Sequence, residues 1–382
     1  MGTIDPVTAK KLAERIKKLY GKSILLKEDL FGSTPPSVLL TEIKYPKISL
    51  GILISEDKNT EIYDNPILWT EKEMSIEDIV KLRVNLINAR KITDVLLPRK
   101  NSVLYEKILD SMLSVKSIDV EAKIKKIALS DKFSKLLGFY GFKGILKDLQ
   151  LAENPKIPVI TDRMVEEDIK AEEAIKELYI YGFSDYYISR LLSIGALGLK
   201  INRKLVPSKW SITAVQSILI KFLYNFIKRF SKTIERVIVF NYKFYGNDFY
   251  AIVFPGDGKF ELIEAILPGS AYNLHYNFVI MGRDDESGGY YAAKLSFYEL
   301  LNELGRKANC IIFRIITKEY YMPLGVWVVR EGTRRLFKNP IEKFYNLNEA
   351  LNYIDKKLEK YNISVFKLKT YSNILKQKLL SF

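Results

Sequence analysis

The chain has 382 residues, room for one large domain or two modest ones, and its 48% hydrophobic and 27% charged residues exclude wholesale disorder. Its 60 Lys and Arg against 45 Asp and Glu leave a formal charge of +15, which favours polyanionic partners, nucleic acid first and an anionic membrane second. One Cys (Cys310) and one His (His275) exclude a disulfide framework, a Cys-rich zinc site and a two-histidine metal motif, so the chemistry on offer is carboxylate, Lys/Arg, hydroxyl and aromatic.

Residues 5–20 read as a first helix, with Asp5 as N-cap, Pro6 at its first position and apolar Val7, Leu12, Ile16 and Leu19. The start lacks a signal peptide's basic residues and apolar middle, so a soluble, cytoplasmic, nucleoid-associated protein is expected. Leu30 to Pro36 reads as a loop, followed by strands over 37–43 and 48–54 bridged by Tyr45-Pro46. Ser75 opens a helix running to about Ala89, with an acid three residues on in capping-box spacing. Residues 117–124 alternate apolar and charged, the period of a half-buried strand.

The centre reads as helical: 164–181, a Gly182-Phe183-Ser184 turn, 185–194, and a long helix from Ser211 to about Phe230. Polar residues interrupt that last stretch, so it reads as a buried helix and not as a membrane span. Strands follow at 237–244, 248–254, 259–267, 277–281, 310–317 and 324–330, with helices at 290–304 and 347–360. The fold expected is α+β, with mostly antiparallel sheet, a central helical region and a strand-rich C-terminal part. Divisions fall at 1–268, 269–370 and a tail of 371–382.

Several constellations carry chemistry, each with a structural alternative. Arg203, Lys204 and Lys209 precede a helix start, where free backbone N–H groups favour an anion. Arg203, Lys209 and the Ser211 hydroxyl would then form a phosphate pocket, and Trp210 a plate for a base. The alternative is a capped helix with Trp210 in the core. Gly288-Gly289 before a helix, between Arg283 and Lys294, would let backbone approach a ligand, or simply turn the chain; no P-loop or dinucleotide spacing is present. Glu166, Glu167 and Asp168 sit where acids complement a helix dipole. Glu261 and Glu264, three apart on a strand, face opposite ways and cannot chelate one metal as a pair, though either can meet Asp168 in space. The two helices of 164–194 have a helix–turn–helix look, but their second helix is poor in donors and packed core helices fit better. Lys376-Gln377-Lys378-Leu379-Leu380-Ser381-Phe382 ends the chain with an apolar plug suited to a partner's pocket, or a helix docked on its own domain.

Together these segments resemble the archaeal Nre family of DNA repair proteins. The resemblance rests on Leu30-Phe31-Gly32-Ser33-Thr34-Pro35-Pro36-Ser37-Val38, Tyr45-Pro46, Leu82-Arg83, Asp168-Ile169-Lys170-Ala171, Arg203 to Val215, Gly288 to Ala293 and Pro323 to Glu331. The family has N- and C-terminal regions and, in many members, a terminal Gln-x-x-Leu-x-x-Phe motif that binds the sliding clamp PCNA. Here Leu379 and Phe382 keep that spacing, while Lys376 stands at the Gln position and Gln377 one residue late. Many members resemble zinc-finger proteins at the N-terminus; this chain has no Cys there and should be zinc-free. The resemblance implies a DNA repair protein tethered to PCNA by its last residues. Phosphate contacts are then expected from Arg83, Arg203, Lys209, Ser211, Arg283, Lys294, Arg314 and Arg330, with Trp210 or nearby tyrosines stacking on exposed bases. Two other readings stand beside an adaptor role. One is a nuclease in which Asp168 with Glu261 or Glu264 holds Mg2+ or Mn2+; the other is an RNA-processing or nucleotide-binding protein.

Overall fold

A computed structural model describes residues 28–129, 133–134, 137–230, 232–272, 279–283 and 288–375, together with Glu14. Apart from Glu14, the helix expected over 5–20 lies outside the described residues. The fold divides into two units, which part between Leu219 and Ile220.

The first unit is built on a six-stranded sheet. Its strands are β1 (Asp29–Thr34), β2 (Val38–Lys44), β3 (Lys47–Ile54), β4 (Ile87–Asp94), β5 (Ile118–Leu129) and β8 (Phe142–Leu151), in the order β1-β5-β8-β4-β3-β2. The short β6 (Phe133–Ser134) and β7 (Gly138–Phe139) pair separately. On β5 the expected alternation buries Ile118, Val120, Ala122 and Ile124. Helices α1 (Pro66–Glu71), α2 (Ile76–Val84), α3 (Val103–Leu113), α4 (Val159–Glu166), α5 (Ala171–Ile180) and α6 (Asp185–Ile194) complete the unit.

Local pattern and structure differ at three places here. The segment read as a loop from Leu30 is strand β1 as far as Thr34. Ser33 and Ser55 exchange backbone hydrogen bonds of 2.8 and 2.9 Å, and a Cβ at Gly32 would stand 2.0 Å from the Ser55 carbonyl oxygen. Glycine there is the condition for that close approach. Helix α2 begins as expected, with the Ser75 hydroxyl accepting from the Asp78 N–H, but stops at Val84 and not near Ala89. Residues 87–94 lie between β3 and β8, and pairing on both edges outweighs a local helical pattern. The single helix expected over 164–181 is two, α4 and α5. Glu167 and Lys170 are extended, and the Asp168 carboxylate accepts the Lys200 N–H at 2.6 Å, fixing the break.

Helix α7 (Ser208–Ile227) starts in the first unit and ends in the second. By length and composition it could cross a membrane, a test that a core helix also passes; Val215, Leu219, Ile220, Leu223 and Ile227 are buried.

The second unit holds another six-stranded sheet: β9 (Val237–Phe244), β10 (Asn247–Phe254), β11 (Phe260–Ile266), β12 (Val279–Arg283), β13 (Asn309–Ile316) and β14 (Pro340–Phe344), in the order β12-β11-β13-β10-β9-β14. Among the described ladders only β4–β8 and β11–β13 are parallel, so the α+β, mostly antiparallel architecture stands. One sheet face packs α10 (Leu347–Leu358) through Leu351, Ile354 and Leu358. Ile374 and Leu375, beyond α11 (Val365–Lys369), join the same core. Helix α8 (Gly288–Leu304) and α9 (Trp327–Leu336) also belong to this unit.

The strand expected over 324–330 is absent, because Trp327 onward is α9. The run Val-Trp-Val-Val has strand propensity, but burial of Trp327, Val328, Val329 and Arg330 within the unit decides the outcome. Gly246, at φ 68°, turns β9 into β10 where a Cβ would stand 2.2 Å from the Tyr320 nitrogen. Strand β11 precedes residues 268–273 and β12 and β13 follow them, so the sequence regions on either side of that stretch share one sheet.

Candidate nucleic-acid interface

At the start of α7 the Ser208 hydroxyl accepts the Leu40 N–H at 2.9 Å and lies 3.4 Å from the Val38 carbonyl. Helix α7 thereby caps the edge strand β2, whose exposed backbone would otherwise template another strand. The cations expected to make a phosphate pocket here are largely committed within the protein. Lys209 forms an ion pair with Glu42 and stands 5.5 Å from the Trp210 ring centroid. Arg203 donates through Nε to the Gly198 carbonyl at 2.9 Å and through Nη2 to the Val165 carbonyl at 2.5 Å. Burial lowers the Arg203 pKa, with Tyr105 and Asp168 opposing the shift. Ser211 is buried and donates to the Ser208 carbonyl at 3.0 Å, so its hydroxyl serves the helix and not a phosphate. Trp210, by contrast, is 51% exposed and is not a core residue.

The exposed cations stand around these residues. The Val95 N–H donates to the Pro46 carbonyl (2.9 Å), the Leu205 N–H to the Val95 carbonyl (2.7 Å), and Arg99 Nε to the Arg203 carbonyl (2.8 Å). These bonds tie the β2–β3 hairpin, the turn after β4 and the approach to α7 into one surface. It exposes Lys44, Lys47, Arg99, Lys100, Lys200 and Lys204. Among the described residues no carboxylate pairs with the charged side-chain group of any of the six. Tyr45, 81% exposed, sits at the hairpin tip. The patterning overlooked this surface because its cations come from separate segments; the local signal was Lys-Tyr-Pro-Lys between two strands.

Other expected phosphate ligands lie in the interior. Arg83 is 3% exposed, pairs with Asp64 at 3.0 Å and stacks against Trp69 and Tyr140 at 4.8 and 4.9 Å. Asp64 also accepts from Ser37, which secures the Thr34-Pro35-Pro36 corner; Arg190 Nη1 donates to the Pro36 carbonyl on the same corner. Arg314 is as buried, bonded to Glu264 at 2.6 Å and through Nε to Asn247 at 2.9 Å. Desolvation lowers its pKa, but the Glu264 carboxylate together with Tyr272 and Tyr320 raises it by more, and the net shift is upward. Arg330 is 1% exposed. A guanidinium enclosed in this way has no room for a phosphate, which corrects the expectation for all three. Lys294 is half-buried, its ammonium 5.2 and 5.7 Å from the Tyr290 and Tyr298 rings. The Arg283 side chain lies outside the described residues, as do Lys376, Gln377, Leu379 and Phe382.

The candidate catalytic carboxylates have separate employments. Asp168, in the first unit, holds the Lys200 N–H. In the second, β11 turns Glu261 and Glu264 to opposite faces, as a strand must. Glu264 neutralises Arg314. Glu261 accepts from the Ser372 hydroxyl and from the Asn373 and Ile374 N–H groups at 2.8 and 2.9 Å. Among the described residues no group of three or more His, Cys, Asp or Glu side chains could hold a metal ion.

Two sheet-centred α+β units and a basic, aromatic surface define the class. Comparison with known proteins adds that residues 8–273 match the N-terminal and residues 281–382 the C-terminal model of archaeal Nre. The chain therefore belongs to the archaeal Nre family. It is 34% identical to a protein named DNA repair protein NreA from Archaeoglobus fulgidus, over 90% of this chain and 89% of that one. It is 32% identical to DNA repair protein NreB of the same organism (87% and 86% covered) and 30% identical to NreA of Haloferax volcanii (85% and 82%). No solved structure matches.

Proposed function

We propose that this protein acts in DNA repair, binding DNA through the surface of the β2–β3 hairpin and the start of α7, and binding the sliding clamp PCNA through residues 376–382. The repair role is supported by three relatives named DNA repair proteins. The observation that carries the DNA part is the set of six exposed cations without carboxylate partners among the described residues, beside exposed Tyr45 and Trp210. Cations so placed exchange condensed counterions for phosphates, and open aromatic faces accept unstacked bases.

Fluorescence anisotropy of labelled duplex DNA across a salt series tests this. Replacing both Lys47 and Lys204 by Ala is expected to flatten the slope of log K against log salt by about 1.8, two phosphates at about 0.9 each. Glu42→Gln releases Lys209 and is expected to steepen it by about 0.9. Unchanged slopes in both variants would remove this surface from DNA binding, and tighter binding of RNA of equal length would redirect the reading to RNA.

The clamp part is supported by Leu379 and Phe382 at motif spacing, directly after a chain segment secured by Glu261 and by buried Ile374 and Leu375. Deleting residues 379–382 is expected to abolish co-elution with PCNA and leave DNA affinity unchanged; a truncated protein that still co-elutes ends the tail reading.

A further inference from the structure

The opposite end of α7 presents a second surface of different character. There Leu219, Ile220, Leu223 and Ile227 turn inward, and the helix continues through a final turn closed by the Lys228 N–H to the Tyr224 carbonyl (2.9 Å) and the Arg229 N–H to the Phe226 carbonyl (2.9 Å). Lys221, Phe226, Lys228 and Arg229 are exposed, Phe226 to 42%. The Phe226 ring is held edge-on by Phe222, centroids 5.0 Å apart, and Arg229 stands 5.8 Å from its centroid. Lys228 lies 4.6 Å from the Tyr224 ring, and Tyr224 stacks at 5.7 Å on Tyr298. Unlike Lys209 at the start of the helix, which pairs with Glu42, Lys221, Lys228 and Arg229 pair with no carboxylate among the described residues.

We propose that this end of α7 binds single-stranded nucleic acid, with Lys221, Lys228 and Arg229 on phosphates and one unpaired base on Phe226. The inference rests on the DNA-binding reading above and adds a strand preference to it. Unpaired cations supply the charge complementarity. A pre-oriented, open aromatic ring supplies the preference, because a base offers its face only when it has left the duplex. An anionic membrane fits less well: Leu219, Ile220, Leu223 and Ile227 face the core, Ile218, Phe222 and Phe230 are half-buried, and Phe226 is the exposed apolar side chain at this end, where interfacial helices insert a broad apolar face.

The test compares wild type, Phe226→Ala and the pair Lys228→Ala with Arg229→Ala, all at exposed positions. Anisotropy is measured on a labelled oligothymidine, on duplex of equal length, and on phosphatidylglycerol vesicles. Phe226→Ala is expected to weaken oligothymidine binding about 5- to 150-fold, the usual range for one stacked base, and duplex binding less than twofold. The paired variant should flatten the single-strand salt slope by about 1.4, at about 0.7 per phosphate. If wild type binds neither DNA form, the DNA reading itself has failed. If it binds DNA and all variants match it, the DNA reading survives and this inference is overturned. Vesicle binding lost in Phe226→Ala with oligothymidine binding unchanged overturns it in favour of a membrane.

Discussion

Arg314→Met is expected to lower the stability of the second unit by about 3–5 kcal/mol, the usual consequence of stranding a buried carboxylate. Glu264 is 2% exposed and sits opposite Arg314 in the β11–β13 register, so bulk water does not replace the guanidinium. Asn247 loses its Arg314 Nε donor as well, a further 1–3 kcal/mol by the rough scale for an unsatisfied buried acceptor. Combining Glu264→Leu with Arg314→Met should recover most of the loss, because two apolar side chains remove both charges together. Hydrogen exchange of the β11 and β13 amides, with urea unfolding of the full chain, reads the effect locally and globally. A single variant as stable as wild type would show that the pair contributes nothing to the fold.

The second large effect is expected at Arg83 in the first unit. Arg83→Met leaves the Asp64 carboxylate with two hydroxyl donors, Ser37 and Tyr140, and only the Arg190 charge nearby, for a loss of about 3–5 kcal/mol. Arg83→Lys should rescue little, since an ammonium matches neither the flat stacking between Trp69 and Tyr140 nor the fork geometry. Burial and the adjacent Asp64 carboxylate both raise the Tyr140 pKa, so Tyr140 keeps its proton and can donate to Asp64, but it brings no positive charge. Because Arg83 touches no solvent-facing phosphate position, the salt slope for DNA should not change in the folded fraction of either variant. A slope lowered by about 0.9 in Arg83→Lys would restore it as a phosphate ligand.

The same two arginines show why residue type and position predicted function less well than fold. In a basic chain every Arg near a family motif is a reasonable phosphate ligand, and sequence order carries no measure of burial. Arg83 and Arg314 lie on elements whose neighbours, Asp64 and Glu264, are 19 and 50 residues away in sequence. Only strand register and helix packing bring each acid within bonding distance. The motif that contains Ser33 to Ser37 is similar: its hydroxyls meet Thr60 and Asp64, so the corner is held by contacts that no local spacing announces.

Composition and period were sufficient for much else. The alternation in 118–124, the Ser75 cap, the helix over 185–194 and strands β9, β10 and β13 were legible because each is favoured by its own residues and has a face to bury. The strand assignment of β11 also foresaw that Glu261 and Glu264 would part, since a pleat sends residues three apart to opposite faces. Where local preference and burial disagreed, burial prevailed. Val326 to Val329 joins helix α9 against its β-branched content, and Leu30 to Thr34 pairs as a strand despite reading as a loop. Charge followed the same division: its surplus of cations was countable in the chain, but which of them face water depended on where distant carboxylates came to rest. Period and capping are properties of neighbours along the backbone, whereas an ion pair such as Lys209 with Glu42 exists only once a helix has docked on a strand 167 residues earlier in the chain.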